Sequence, residues 1–197
     1  MTTGRLRRLV DGLNIPAEQR LVINRALSFL RDDGWKVIYA PVAKANEYLA
    51  SVGVQESFGP SDHGMTIPAL KTIVLTAASS ETLAHELIHA ATFDKVDTYY
   101  RDDTLLDHTS KQAVRRLETL MIEWLSNSVE YAENRKDKVK ESVYQAVRVI
   151  SELINEGKSA QALNEFMAWN LANQDLVKMN STCLLYTSDA ADEGLGV

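Results

Sequence analysis

Apolar residues recur every three or four positions along most of the chain, which is the spacing of one buried face on an α-helix. This periodicity predicts helices over residues 5–13, 17–31, 43–51, 80–93, 109–134, 138–156 and 160–172. Two short runs rich in β-branched and aromatic residues, 35–39 and 71–75, predict strands instead, and residues 65–67 predict an edge strand. The pattern therefore indicates an α+β fold, rich in helix, with a small sheet placed before the helix that begins near residue 80.

Polar residues at the ends of these runs support the predicted helix boundaries. Ser79 or Ser80 can cap the helix that begins near residue 80, and Thr109 with Gln112 has the spacing of a capping box. Gly157 stands where a left-handed residue would end the helix over 138–156. Between two of the helices, the Asp- and Tyr-rich segment 94–108 is expected to be a loop.

Two histidines, His85 and His89, stand four positions apart, and Glu86 directly follows the first. On a helix, this spacing puts both imidazoles on one face, where they can share a Zn²⁺ ion with Glu86 beside its open coordination position. An ordinary amphipathic helix that carries two histidines is the alternative. Against it, the chain has only four histidines, and the neighbours of this pair are mainly Leu, Ile and Ala, among which an unpaired charge is costly. The motif predicts a zinc site.

A catalytic zinc ion usually takes three protein ligands, so His85 and His89 need a third residue, which the sequence next to His89 does not supply. The position six residues after His89 is Lys95, so the short-range spacing for a third histidine fails. Glu118 and Glu165 each lie on an otherwise apolar helical face, and each could instead pair with a buried arginine or hydroxyl. Periodicity leaves both candidates open. Their apolar neighbours are Val114, Leu117, Met121 and Leu125 for the first, and Ala162, Phe166, Trp169 and Ala172 for the second.

The last fifteen or so residues are unlike the rest of the chain. From Cys183 to Val197 the sequence resembles the translation of a sequencing-library adapter, so we expect this segment to be an artefact. Cys183 is the only cysteine, and a thiolate zinc site is therefore not expected. Removing the three acidic residues of the segment changes the formal net charge from −6 to −3. This mild acidity argues against a nucleic-acid partner.

The string Asn164-Glu165-Phe166-Met167-Ala168-Trp169, following the His85–His89 helix, resembles the metallopeptidase domains of phage polyvalent proteins. More distantly, it is similar to the protease domain of anthrax lethal factor. The resemblance implies a zincin-like (gluzincin) fold, a third zinc ligand at Glu165, and a strand before the metal helix that offers its edge to an extended peptide. It departs at Trp169, where lethal-factor-type proteins have a second glutamate. We therefore divide the chain into a region 1–55 without a counterpart, a zincin-like metallopeptidase domain 56–182 and the expected artefact 183–197.

Motif and resemblance together predict a zinc-dependent endopeptidase with one Zn²⁺ per chain, held by His85, His89 and Glu165. The metal would lower the pKa of a bound water from ~15.7 towards ~7, and Glu86 would act as general base. Four residues are candidates to stabilise the oxyanion: Tyr99, Tyr100, Tyr144 and His108. The expected partner is a protein or peptide substrate.

Two other functions remain open at this point. One is a metal-stabilised structural or interaction module of a phage protein without turnover, for which Glu86 is dispensable. The other is a regulatory peptidase that cleaves a repressor, although the basic cluster Arg5, Arg7 and Arg8 is not followed by an evident recognition helix. No stretch approaches the ~20 apolar residues that span a bilayer, and no signal peptide is evident. We therefore expect no membrane partner, and a location in the cytoplasm of a bacterial host or in a phage virion.

Overall fold

A computed structural model describes residues 10, 15, 17–30, 34–77, 79–133, 139–177 and 179–180. The predicted helix over 5–13, apart from Val10, and the segment 183–197 lie outside the described residues. Within them, the elements in chain order are α1 (Ala17–Leu30), β1 (Lys36–Tyr39), α2 (Val42–Ser51), β2 (Gly64–Ile67), β3 (Thr72–Leu75), α3 (Ser80–Asp102), α4 (His108–Glu133), α5 (Val139–Asn155) and α6 (Ser159–Ala172). The prediction of a helix-rich α+β fold with a small sheet before the helix of the two histidines is confirmed.

The three strands form one mixed sheet in the order β1-β3-β2. Strand β1 pairs with β3 in parallel, with Val37 opposite Ile73, whereas β2 pairs with β3 in the antiparallel sense, with Thr66 opposite Ile73. The strand that precedes α3 is thus the central one and is paired on both sides. The expectation that it offers a free edge to a peptide is wrong, because strand order depends on tertiary pairing and not on the local pattern of the strand.

Strand β3 is buried on both faces, which explains why its sequence is apolar without alternation. Val74 faces a small core beneath α2 that contains Ala45, Leu49, Phe58 and Ile67. Ile73 and Leu75 face the opposite way, into the larger core built with the helices α1, α3, α4, α5 and α6. One face of the sheet therefore shares the larger core with α3. Strand β1 pairs with β3, and α1 packs in the same core as the later helices. The division of the chain at residue 55 stays a prediction.

Helices α3 and α6 run antiparallel to each other, and polar side chains fix their register. The Nδ2 group of Asn173 donates to Oε1 of Glu81 over 2.8 Å, which joins the end of α6 to the start of α3. The buried Gln19 of α1 donates to the backbone oxygen of Ala172 over 2.7 Å and accepts from Ser80 over 2.9 Å. Three helices are therefore tied at one end, and the first turns of α3 have a fixed position relative to α6.

Two details of the predicted helix boundaries are wrong. The expected loop over 94–108 is largely helical, because α3 continues to Asp102. Val96 is buried, and Tyr99 and Tyr100 pack against the same core, so apolar contacts at helical spacing extend past residue 93. Helix α4 is capped by Asp107, whose carboxylate accepts from the backbone N–H of Ser110 over 2.8 Å, and not by the capping box predicted at Thr109. Among the described residues, no helix is long and apolar enough to cross a membrane.

Candidate metal centre

The helix that carries the two histidines begins at a well-formed cap. Ser79 has extended backbone angles, and its hydroxyl accepts from the backbone N–H of Thr82 over 3.3 Å. One face of α3 then enters the core through Leu83, Leu87 and neighbouring residues. Since His85 and His89 are four positions apart, they share the adjacent face, which is turned towards α6.

The structure brings His85, His89 and Glu165 together. The two Nε2 atoms of the histidines lie 3.0 Å apart. Glu165 of α6 reaches both rings, with Oε2 at 3.5 Å from Nε2 of His85 and Oε1 at 3.3 Å from Nε2 of His89. The exposed fractions of the three side chains are 23%, 14% and 25%, in that order. These residues are the one group of His, Cys, Asp and Glu side chains among the described residues that could hold a metal ion.

The distances between the three ligand atoms fit a zinc ion. Zn–N and Zn–O bonds of about 2.0–2.2 Å in tetrahedral geometry place ligand atoms roughly 3.3–3.5 Å from one another. The observed separations of 3.0, 3.3 and 3.5 Å need little adjustment to match them. Two imidazoles and one carboxylate are also a ligand set that zinc commonly uses. The residues present therefore fit the metal that the motif predicts.

Electrostatic coupling between the histidines and the glutamate shifts their pKa values in opposite directions. Burial by itself raises the pKa of Glu165, but hydrogen bonds from His85 and His89, with the charge of the rings, hold that pKa well below its usual range. Burial by itself lowers the pKa of His89, but the hydrogen bond and charge of Glu165, with a smaller effect of Glu86, raise it above its ordinary value. The carboxylate is thus kept ionised, which is the form that binds a metal.

Polar residues close to the ligands join the two helices. The hydroxyl of Thr92 lies 2.9 Å from Oδ1 of Asn164 and 2.8 Å from the backbone oxygen of Ile88. Asn164 also donates to the backbone oxygen of Ala160, over 3.0 Å, and is buried. This pair was not predicted from the sequence, although an asparagine on the apolar face of α6, directly before Glu165, was a visible signal.

An aromatic ring also packs against the first histidine. Trp169 meets His85 edge to face at a centroid distance of 5.9 Å. It occupies the position at which the resemblance expected a second glutamate. An aromatic ring therefore buttresses His85 there, and no second carboxylate is present at that position.

Glu86 lies where α3 packs against β2. It is buried, and its Oε2 atom lies 2.7 Å from the hydroxyl of Thr66, which is also 3.0 Å from the backbone oxygen of Glu86. Gly64 makes this approach possible, because a Cβ atom there would lie 2.7 Å from Cγ and Oε1 of Glu86 and 2.9 Å from Cγ2 of Thr82. The residue predicted as general base is thus held by a strand hydroxyl, and its carboxylate joins β2 to α3.

The structure places Glu118 away from this cluster. Its carboxylate accepts from the hydroxyls of Tyr100 over 2.5 Å and Tyr99 over 3.3 Å, and the guanidinium of Arg115 donates to Tyr99. Burial, followed by the hydrogen bond and charge of Glu118, raises the pKa of Tyr100. Glu118 therefore has the hydroxyl-paired role that was the alternative to metal binding.

None of the four oxyanion candidates has a described contact that assigns it that task. Tyr99 and Tyr100 are bonded to Glu118. Tyr144 donates to Glu133 at 3.5 Å, and His108 is exposed at the first residue of α4.

Comparison with known proteins gives one phage relative. The chain is 32% identical over 185 residues to the virion DNA-directed RNA polymerase of Enterobacteria phage N4, in a match that covers 87% of this chain and 5% of that protein. The chain thus spans only a small part of the length of this relative. No family model matches the chain, and no solved structure matches it.

This relative contradicts the prediction that the chain is a zinc metallopeptidase, and with it the classification as a hydrolase and the alternative of a repressor-cleaving peptidase. The matched protein is named for DNA-directed RNA synthesis and not for peptide hydrolysis. The coarser expectation of an enzyme agrees with this relative, which is named for an enzymatic activity, whereas the finer expectation of a zinc endopeptidase has no support from it. The physical reason for the error is that the spacing of His85, Glu86 and His89 fixes where three side chains lie on a helix, whereas the reaction depends on the whole site.

The expectation of no nucleic-acid partner is contradicted by the same finding, because the relative is DNA-directed. That expectation came from the charge of one segment, and a segment that corresponds to 5% of a polypeptide does not report the charge of the rest. The association with phage is supported, since the relative is a phage virion protein.

Proposed function

We propose that the chain is a zinc-binding structural segment of a phage virion RNA polymerase polypeptide. His85, His89 and Glu165 would hold one Zn²⁺ ion, and the ion would fasten α3 to α6. The observation that carries the proposal is the meeting of three ligand atoms from two helices at 3.0, 3.3 and 3.5 Å. When bound, the ion supplies a cross-link between elements that are distant in the sequence, and its binding free energy adds to the stability of the fold.

The chemistry of the ligands supports zinc over the alkaline-earth ions. Ca²⁺ and Mg²⁺ prefer sets made of oxygen ligands, whereas two imidazole nitrogens suit Zn²⁺ and its transition-metal neighbours. The site contains one carboxylate and no thiolate, which makes it unsuited to soft ions such as Cu(I). The ligand side chains are between 14% and 25% exposed, so that a chelator in solution can reach the ion.

The ion would lie between two other contacts of the same helix pair, with one coordination position left for water because the site has three protein ligands. The same two helices are joined on one side by Thr92 with Asn164 and on the other by Glu81 with Asn173. A metal between these two contacts would complete a row of three links along one helix pair. Glu86 then contributes by packing β2 on α3 and is not required for the metal.

The relation to the phage protein supports the wider context. We propose that the intact protein is a virion-associated, DNA-directed RNA polymerase, and that this segment supports its architecture and does not by itself catalyse nucleotide addition. What favours this division is the size of the match, which takes up 5% of the relative. DNA would then be a partner of the whole polypeptide.

Metal analysis of the purified chain tests the proposal. We expect about one zinc ion per chain, because the described residues contain one candidate group of ligands. His85→Ala is expected to abolish zinc binding, because it removes a ligand. His108→Ala is the matched control, since this exposed histidine begins α4, and it should keep the zinc content. Zinc content that is unchanged by His85→Ala, or RNA synthesis by the isolated chain, would overturn the proposal.

A further inference from the structure

The second nitrogen of each histidine ring has no hydrogen bond that would orient the ring. Among the described residues, His85 and His89 contact each other and Glu165 through Nε2, and no protein group bonds to Nδ1 of either ring. Histidines that bind a metal almost always donate this second N–H to a carboxylate or a backbone carbonyl, which fixes the ring. The orientation of the two rings here therefore depends on other contacts.

Two aromatic rings contact His85 in place of such a hydrogen bond. The ring of His89 lies at a centroid distance of 4.6 Å and an interplanar angle of 79°, and the ring of Trp169 lies at 5.9 Å and 87°. Both contacts have the edge-to-face geometry that aromatic rings favour. Trp169 follows Glu165 by four positions on α6, so that one face of this helix supplies both the third ligand and a ring for the first.

The position of Trp169 does not depend on a metal ion. Its ring is partly buried and packs against the larger core, and α6 is joined to α3 by Asn164 and Asn173 on either side of the ligands. His85 is the histidine that needs such support more. Its side chain is 23% exposed, against 14% for His89, and it therefore has more room to turn away from the site.

We propose that Trp169 is a positioning residue, which holds the ring of His85 with Nε2 towards His89 and Glu165 before an ion binds. This inference deepens the proposed function and rests on it, because it concerns the same zinc site. Without the indole, two or three staggered χ1 wells and two ring orientations would give His85 roughly four to six arrangements. If one of these binds the metal, the affinity for zinc falls by about fivefold.

Substitutions of two tryptophans separate positioning of His85 from packing of the core. Trp169→Leu removes the ring but keeps an apolar side chain, whereas Trp169→Phe keeps a ring. Trp124→Leu is the matched control, because Trp124 is also partly buried against the larger core and its ring lies 5.9 Å from that of Phe166 on α6. Trp124 is not part of the histidine cluster. Its replacement should lower the free energy of unfolding and leave the affinity for zinc unchanged.

Chelator competition measures the affinity of each variant for zinc. Trp169→Leu should bind zinc between about fivefold and 100-fold more weakly than the wild type, which is the range for a residue that orients a ligand. Trp169→Phe should stay within about threefold of the wild type, because a phenyl ring can restrict His85 in the same way. Trp124→Leu should stay within about twofold. Circular dichroism checks that each variant folds, and Trp169→Met replaces Trp169→Leu if the latter does not.

Proton NMR of the zinc-free protein reports the orientation of His85 without reference to zinc. The chain has four histidines, and His85→Asn identifies the ring signals of this one. In the wild type we expect a nuclear Overhauser contact between the indole of Trp169 and the ring of His85. Trp169→Leu should move the ring signals of His85 towards those of the exposed His108, whereas Trp124→Leu should leave them in place.

Four results would overturn the inference while zinc binding by the wild type stands. These are an unchanged affinity in Trp169→Leu, a loss no greater than that in Trp124→Leu, a loss in Trp169→Phe equal to that in Trp169→Leu, or the absence of the Overhauser contact. Failure of the proposed function is distinguishable, because it appears in the wild type alone. A wild type that binds no zinc, or that keeps its zinc after His85→Ala, would overturn both.

Discussion

The Nε2 atom of His89 lies 3.3 Å from Oε1 of Glu165, although the two residues belong to different helices that are far apart in the sequence. This contact joins the middle of α3 to the middle of α6, and it puts a carboxylate against an imidazole pair whose nitrogens are 3.0 Å apart. Without a metal the contact is a hydrogen bond, and it becomes an ion pair when His89 is protonated. With a metal bound, the same atoms would serve as ligands.

The pH dependence of unfolding should differ between the metal-free protein and a variant without this ion pair. The pKa of His89 is raised above 6.5, so its contribution to stability is complete below pH 6.5 and is lost as the pH rises through the folded-state value. The pKa of Glu165 is lowered from 4.5, so its contribution is present above pH 4.5 and is lost as the pH falls. The pair should therefore stabilise the fold most between pH 4.5 and 6.5.

Urea unfolding of the metal-free protein at several pH values checks this expectation. Glu165→Gln should lose stability relative to the wild type mainly inside that pH window, while His108→Asn should follow the wild type. With zinc present the trend reverses, because bound imidazoles must be deprotonated and stabilisation by the metal grows as the pH rises. Identical pH profiles for the wild type and Glu165→Gln would show that the pair does not form.

Removal of zinc should lower the melting temperature. At a free zinc concentration 100 times the dissociation constant, binding stabilises the folded state by about 2.7 kcal/mol. For a chain of this size, that corresponds to a shift of roughly 5–11 °C. Calorimetry with zinc and with a chelator measures the shift, and His85→Ala should show none. A shift of equal size in His85→Ala would place the responsible ion elsewhere.

Thr66→Val should destabilise the protein through Glu86. The substitution keeps the shape of the side chain but removes the hydroxyl that lies 2.7 Å from the buried carboxylate. We expect a loss of about 1–3 kcal/mol in the free energy of unfolding, with the zinc content unchanged. Thr76→Val is the matched control, because its hydroxyl bonds the backbone oxygen of Asp62 at an exposed position, and it should cost less than about 0.5 kcal/mol. Equal losses in the free energy of unfolding would mean that the contact of Thr66 with Glu86 stabilises the protein no more than the exposed contact of Thr76.

Gly64→Ala tests the close approach of β2 to α3. The new Cβ would lie 2.7 Å from atoms of Glu86 and 2.9 Å from Thr82, so the strand or the helix must move. Overpacking of this kind costs about 1–3 kcal/mol. In Gly59→Ala, by contrast, the nearest atom is a carboxylate oxygen of Asp62 at 3.2 Å, on a flexible exposed side chain, and the change should be nearly neutral. Chemical denaturation of both variants decides the matter, and a Gly64→Ala variant as stable as the wild type would contradict the packing described here.

Much of the fold follows from local patterns, because each helix shows its apolar face in the sequence. The strands at 36–39, 64–67 and 72–75 lie within or next to the predicted runs, since β-branched residues cluster there. The order of the strands was not predictable in this way. Whether β3 is central depends on contacts among segments far apart in the sequence, and the roles of Gly64 and Thr66 depend on that order.

The candidate site was predictable in part for the same reason. Helical spacing places His85 and His89 together, and an acidic residue on an apolar face suggested Glu165 and Glu118 equally. Only the tertiary packing of α6 on α3 separates the two, because it brings one carboxylate to the histidines and leaves the other with two tyrosines. The prediction of peptide hydrolysis was wrong, because the spacing of ligands indicates which metal can bind but does not determine which reaction, if any, takes place.

The affinity for zinc of Glu165→Ala, compared with that of Glu118→Ala, tests the central claim most directly. Both variants remove a half-buried carboxylate from an otherwise apolar helical face, and circular dichroism checks that both fold. In chelator competition, Glu165→Ala should bind zinc more than about 100-fold more weakly than the wild type, beyond the 10–100-fold typical of residues that only support a ligand. Glu118→Ala should stay within a few-fold of the wild type, because its carboxylate bonds tyrosines and not the histidines. The opposite ranking, or equal losses in the two variants, would contradict a zinc site formed by His85, His89 and Glu165.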